Sequence, residues 1–151
     1  MADQLEQIRE HLQPFLDHGE EPVAAMTAAP RGKNTSIAAG GVGGLIGDRM
    51  VSGQVGRAEA VGMRLDSNMA IVLTDRRLLA FKVGFTMGGS IKGVDEVLGA
   101  VALREVDSIE AKRVGLGGNL VLAVRGGEPI RLECRVGRAR ELVDAYERAR
   151  G

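Results

Sequence analysis

Asn68-Met69-Ala70-Ile71-Val72-Leu73-Thr74-Asp75-Arg76-Arg77-Leu78-Leu79-Ala80-Phe81 decides the fold of this chain. Met69 to Leu73 is a near-continuous apolar run, and Thr74-Asp75-Arg76 is a tight polar break. From Arg77 to Val83 the chain alternates, placing Leu79, Phe81 and Val83 on one face. Two apolar runs joined by so short a polar break predict an antiparallel hairpin. The side chain of Asp75 can bond nearby backbone amides, and that of Thr74 does so more weakly, so the turn needs no functional explanation.

Downstream the β pattern continues. A glycine-rich connection from Gly84 to Gly93 leads to expected strands at Val97–Leu103 and Val106–Val114. Gly115-Leu116-Gly117-Gly118 turns the chain into Asn119–Arg125, and Arg125-Gly126-Gly127-Glu128 turns it again into Ile130–Val136. In that last strand Ile130, Leu132, Cys134 and Val136 face in, while Arg131, Glu133 and Arg135 face out. Gly137 then ends the strand. A helix is expected over Arg138–Ala149, with Ala139, Leu142, Val143 and Tyr146 on its apolar face.

Upstream, Asp3 to Asp17 reads as a helix with Leu5, Ile8, Leu12 and Phe15/Leu16 as its apolar stripe and Pro14 shortening it. Gly19 breaks the pattern, and Pro22 to Ala28 reads as a strand that Pro30 ends. Residues 31 to 56 hold eight glycines in 26 positions. Gly40, Gly44 and Gly47 are spaced for a helix with a glycine face, whereas glycine's helix penalty of about 1 kcal/mol each favours a loop. The sequence leaves both open. Gln54 to Met63 reads as more helical. The total is seven strands and a closing helix.

The 151 residues suit one domain, with 44% hydrophobic and 26% charged residues, which are globular values. Lys and Arg together number 20, balanced by 20 Asp and Glu. No nucleic acid is therefore expected as partner, since phosphate neutralisation calls for a basic excess. A single cysteine, Cys134, forms no intramolecular disulfide. The start lacks the basic flank and apolar stretch of a signal peptide, and no run of about 18 apolar residues occurs, so the cytoplasm is expected.

The order of elements resembles the bacterial pleckstrin-homology-like domains. The resemblance rests on the Asn68–Phe81 hairpin with Leu-Thr-Asp-Arg-Arg-Leu at its turn, and on the alternating last strand followed by an amphipathic helix. It implies an α+β fold: seven antiparallel strands in a partly open barrel of two bent, nearly orthogonal sheets, capped by the C-terminal helix. Residues 1–19 would form an extra N-terminal helix, and 20–150 the domain, with a glycine-rich insertion at about 31–66. The resemblance further implies a scaffold that binds protein segments, lipid headgroups or copies of itself, without enzymatic activity.

Residue chemistry agrees with that expectation. His11 and His18 stand seven apart, about 10 Å along a helix, which is too far for one metal to bridge easily. Cys134 lies on an apolar strand face, where a thiol behaves as a small hydrophobe. The glycine segment meets neither dinucleotide spacing nor the P-loop pattern: Ile46 stands where a glycine is required, and Asn34 follows Gly32-Lys33. No catalytic residue, metal site or cofactor is expected. Candidate interaction residues are Gly40, Gly44, Leu45, Ile46 and Gly47 in the uncharged stretch Ile37–Gly47, and Arg76, Arg77 and Lys82 at the second hairpin. The leading expectation is a module that binds protein partners or self-associates into homo-oligomers. The alternative is a peripheral domain binding an anionic lipid or membrane surface.

Overall fold

The computed structural model describes residues 4–30, 63–65, 68–87, 91–114 and 117–150. Helix α1 (Gln4–Leu12) passes into a 3-10 turn (Gln13–Phe15) and is followed by β1 (Pro22–Pro30). Then come β2 (Met69–Thr74), β3 (Arg77–Phe85), β4 (Ile91–Ala102), a 3-10 turn (Leu103–Glu105), β5 (Val106–Val114), β6 (Gly117–Val124), β7 (Ile130–Cys134) and helix α2 (Val136–Arg150). The expected helix over Gln54–Met63 and the glycine segment 31–56 lie outside the described residues, apart from Met63.

All seven strands join one antiparallel sheet in the order β4-β3-β2-β1-β7-β6-β5. The sheet is partly open, because its two outermost strands, β4 and β5, have no register with each other. β1 links the halves: Ala24 to Ala28 pair with β2, and Ala29 and Pro30 pair with β7.

Two apolar layers lie on opposite faces of the β2–β3 hairpin. Met69, Ile71, Leu73, Leu78 and Ala80 point into the main core with β5, β6, β7 and the α2 residues Ala139, Leu142, Ala145 and Tyr146. Ala70, Val72, Leu79, Phe81 and Val83 point the other way, against Ile8, Leu12, Phe15 and Leu16 of the N-terminal segment. Every residue of β2 is buried, as expected for a strand covered on both faces. The reading of Leu79, Phe81 and Val83 as one apolar face holds, but they face α1 and not the main core. Phe15 and Phe81 meet at 5.4 Å between ring centroids with planes tilted by 58°.

Several boundaries differ from the sequence reading, β1, β3 and β6 by one or two residues; three of the differences have a local physical reason. The N-terminal helix stops at Leu12, because Pro14 has no N–H for the helical ladder, and the chain tightens into a 3-10 turn instead. β4 starts at Ile91 and not Val97, so both ends of the Gly84–Gly93 stretch are strand, with Gly84 opposite Gly93. Register shifts leave Lys92, Asp95 and Leu98 as extra residues along β4. Each bulge resets the in/out alternation, so period-2 reading fails there. Finally, β7 stops at Cys134, and Val136 opens α2, with Ala139 N–H donating to the Arg135 carbonyl at 3.0 Å. Gly118, opposite Cys134, permits this turn: a Cβ on Gly118 would lie 2.8 Å from both Cα and Cβ of Val136.

Candidate functional site

Asp75 and Arg76 stand between β2 and β3, neither with positive φ. The last registered pair is Leu73↔Leu78, so Thr74 to Arg77 form a four-residue loop, which needs no positive φ. Here side chains hold the turn. Thr74 Oγ1 accepts from the amides of Arg76 at 3.1 Å and Arg77 at 3.0 Å. Asp75 Oδ1 accepts from the Glu21 amide at 3.1 Å, and the Asp75 amide donates to the Glu21 carbonyl at 3.0 Å.

Beneath the turn lies a buried ionic cluster. The carboxylate of Glu20 has no exposed side-chain surface. Arg77 grips it bidentately, Nε to Oε2 and Nη2 to Oε1, both at 2.9 Å. Thr74 Oγ1 donates to Oε2 at 2.6 Å, and the Asp17 amide donates to Oε1 at 2.9 Å. Arg77 Nη2 also donates to the Phe15 carbonyl at 2.9 Å. These bonds, Arg77 first, hold the Glu20 carboxyl down at about 2 against the opposing cost of burial. Gly19, at φ +79°, makes the turn that delivers Glu20.

This cluster assigns the hairpin cations separate places. Arg77 is committed to Glu20 and points to the α1 side. Arg76 is exposed at the turn, its Nη2 3.3 Å from where a Gly19 Cβ would lie. Lys82 is half-buried five residues along β3. Its parity is opposite to that of Arg77, so the two occupy opposite faces, about 17 Å apart along the strand. Arg76, Arg77 and Lys82 are therefore not brought together in one patch. Gly40, Gly44, Leu45, Ile46 and Gly47 lie outside the described residues.

Cys134 is half-buried against the main core, and burial pushes its thiol up to about 11. Such a thiol is a poor nucleophile at neutral pH. Among the described residues, no group of three or more His, Cys, Asp and Glu is placed to hold a metal ion, and no helix is long and apolar enough to cross a membrane.

Three surface features of the described residues bear on contact with other molecules. An open cleft of about 460 Å³ is lined by Asp75, Leu103, Arg104, Asp107, Arg125 and Tyr146. Its rim carries both charges, and the Tyr146 hydroxyl is engaged with the Val106 carbonyl at 3.0 Å. A second cleft, about 330 Å³, lies between Thr27–Ala29 of β1 and Glu133–Arg135, with Phe85 beside it. Near it the β3–β4 connection exposes Phe85 in part and Met87 fully.

The third surface is the outer edge of β5. Among the described residues this strand pairs with β6 alone, in unbroken register from Ser108 to Val114. Glu110 and Lys112 share a face, 3.9 Å apart, with 59% and 51% of their side chains exposed. Compared with known proteins, the chain matches no family model and no curated protein.

The sequence reading missed Glu20 and the β5 edge. Glu20 and Arg77 are separated by 57 positions, and no local pattern links them. The alternating charges of β5 were visible, but its place at the end of the sheet is a property of topology.

Proposed function

We propose that this chain is a non-catalytic interaction module with a pleckstrin-homology-like fold, working in the cytoplasm and self-associating through the outer edge of β5. The strand order and the flanking helices support the fold assignment. So do the two clefts, at each of which the β1–β4 half of the sheet meets the β5–β7 half, as two bent, crossed sheets would.

The observation that carries the function is the β5 edge. A strand edge with unused main-chain groups is a template for another strand. A two-fold axis through Ala111 sets Glu110 of one copy opposite Lys112 of the other, twice, with Ile109 opposite Arg113 and Ser108 opposite Val114. Centring the axis on Glu110 or on Lys112 instead opposes like charges at the axis. Opposite charges across a strand pair are favourable and like charges unfavourable. The edge therefore carries its own register for an isologous dimer.

Light scattering behind size exclusion tests this reading. The expected mass is twice 16.0 kDa at high concentration, falling towards 16.0 kDa on dilution. A single 16.0 kDa species at every concentration contradicts it. Deleting Ile37–Gly47 separates the two self-association surfaces: retained dimer assigns assembly to β5, and lost dimer assigns it to the glycine segment.

The β3–β4 tip favours a second reading, contact with a membrane surface. Phe85 and Met87 are exposed there, and Lys82 and Lys92 lie on the strands behind. Apolar tips backed by cations suit anionic bilayers. Sedimentation with phosphatidylserine vesicles at low salt, lost on Met87→Asp, is the outcome that reading requires.

A further inference from the structure

The cleft of about 460 Å³ at the C-terminal end of α2 carries Asp75, Asp107, Arg104 and Arg125 around a floor that includes Val106 and Tyr146. Arg104 and Arg125 turn to Glu105, at 3.8 and 3.9 Å. Arg76 and Arg148 turn elsewhere, towards Gly19 and towards the cleft between α2 and β1. Asp107 is exposed and has no ion pair among the described residues. Three carboxylates, Asp75, Glu105 and Asp107, thus stand against the guanidiniums of Arg104 and Arg125, so one further cation balances the cleft. The end of α2 adds negative potential beside it. At the other end of β5, Arg113 is the reverse case. It alternates with Ile109 and Ala111, which face the main core, so it lies on the side of the sheet that carries α2. It is exposed and has no ion pair among the described residues.

We infer that the cleft at Asp107 is a socket for the Arg113 side chain of a second copy, filled twice in a two-fold dimer. The inference rests on the β5 reading and adds a second contact to it. In the register through Ala111, Arg113 of one copy stands opposite Ile109 of the other. Its diagonal neighbour one row further is Asp107 of the other copy, about 7–8 Å away between Cα atoms, a span that a long side chain covers. Asp107 is the extra residue of the β5 bulge, and it lines the cleft beside Tyr146, on the α2 side where Arg113 also lies. Arginine suits such a socket: its fork pairs with a carboxylate while its stem covers apolar floor. One register therefore matches charges on both faces of β5, Glu110 with Lys112 on the outer face and Asp107 with Arg113 on the α2 face. This double match identifies the occupant as a second copy of this chain.

The test uses the full chain and dimerisation constants from light scattering over a range of concentrations. Arg113→Glu and Asp107→Arg are each expected to weaken the homodimer about tenfold, because each sets like charges together twice. A mixture of the two variants is expected to form a heterodimer of natural affinity, since both of its sockets again hold opposite charges. A change confined to one chain's own fold would not produce that recovery. Weakened homodimers without a tighter heterodimer overturn the inference, and so do homodimers as tight as the natural one. If Glu110→Lys weakens the dimer while Arg113→Glu and Asp107→Arg do not, the β5 reading stands and the socket alone falls. A natural chain that is monomeric at every concentration removes both. Should a charge reversal fail to fold, Arg113→Gln decides: it is expected to weaken the dimer about threefold, and an unchanged dimer overturns the inference.

Discussion

Arg77 on the β2–β3 hairpin grips the carboxylate of Glu20, 57 residues earlier, through two hydrogen bonds of 2.9 Å. The same guanidinium caps the Phe15 carbonyl, so one side chain ties the end of the 3-10 turn after α1, the entry to β1 and the hairpin together. The carboxylate is shielded from water and its acceptors are satisfied, which distinguishes it from the exposed ion pairs elsewhere on the surface.

Removing Arg77 leaves the Glu20 carboxylate buried without its cation, whereas removing Glu20 leaves Arg77 partly exposed, with the Phe15 carbonyl and the Asp17 carboxylate still near it. Arg77→Ala is therefore expected to cost about 3–5 kcal/mol in urea denaturation, and Glu20→Ala less. The double variant should cost clearly less than the sum of the two, because the groups act as one unit. Strict additivity would show that the two side chains do not interact.

The same carboxylate makes stability depend on pH. Its folded-state value, about 2, lies below the ordinary carboxyl value of 4.5. The contribution is therefore fully present above about 4.5 and is lost as pH falls through the folded value. Its size is roughly 3 kcal/mol. Denaturation midpoints from pH 7 to 2 should show the natural chain losing its advantage over Glu20→Gln across that window. A constant difference would mean that Glu20 does not titrate with folding.

Gly118 is required by contact, and Gly126 by conformation. Alanine at Gly118 presses on the Cα and Cβ of Val136 at 2.8 Å and is expected to cost about 1–3 kcal/mol. Val136→Ala should not rescue it, since backbone atoms and Cβ remain in the contact. Gly126, at φ +82° with no atom within 4 Å of a built Cβ, should lose about 1–2 kcal/mol as alanine through backbone strain alone. Thermal or urea unfolding of the three variants checks both statements.

Cys134 should react slowly. With its thiol pushed up to about 11, its thiolate population at pH 8 is on the order of a hundred-fold below that of a free cysteine. Labelling by a disulfide reagent should accelerate by about that factor on unfolding in urea. Equal rates in both states would place the thiol in an open, solvated setting.

The β5 strand, the Met69–Phe81 hairpin and the α2 face could be read directly: polar breaks and turn residues bound the strands, β3 alternates, and α2 has a helical apolar period. Val106–Val114 was recovered to the residue. β4 could not be read, because the bulges at Lys92, Asp95 and Leu98 shift its alternation three times. Val136 looked like a strand residue because it continued the Ile130, Leu132, Cys134 alternation; only its packing over Gly118 shows why the chain turns there. The covering of β2 on both faces was implicit in its unbroken apolar run, but the partner on the second face, α1, became visible only in three dimensions. The hairpin cations named as candidate interaction residues are close in sequence, whereas β-strand parity and the Glu20 carboxylate separate them in space.

The dimer register through Ala111 is tested most directly by charge reversal on β5, read by light scattering over a range of concentrations. Glu110 and Lys112 are both exposed, so the variants should fold like the natural chain. Glu110→Lys and Lys112→Glu each oppose like charges twice across the axis, and both are expected to weaken the dimer by at least about tenfold. The double variant carrying both changes restores opposite charges and is expected to return to the natural dimerisation constant. A dimer indifferent to all three variants, or a double variant no better than either single one, would contradict the β5 interface.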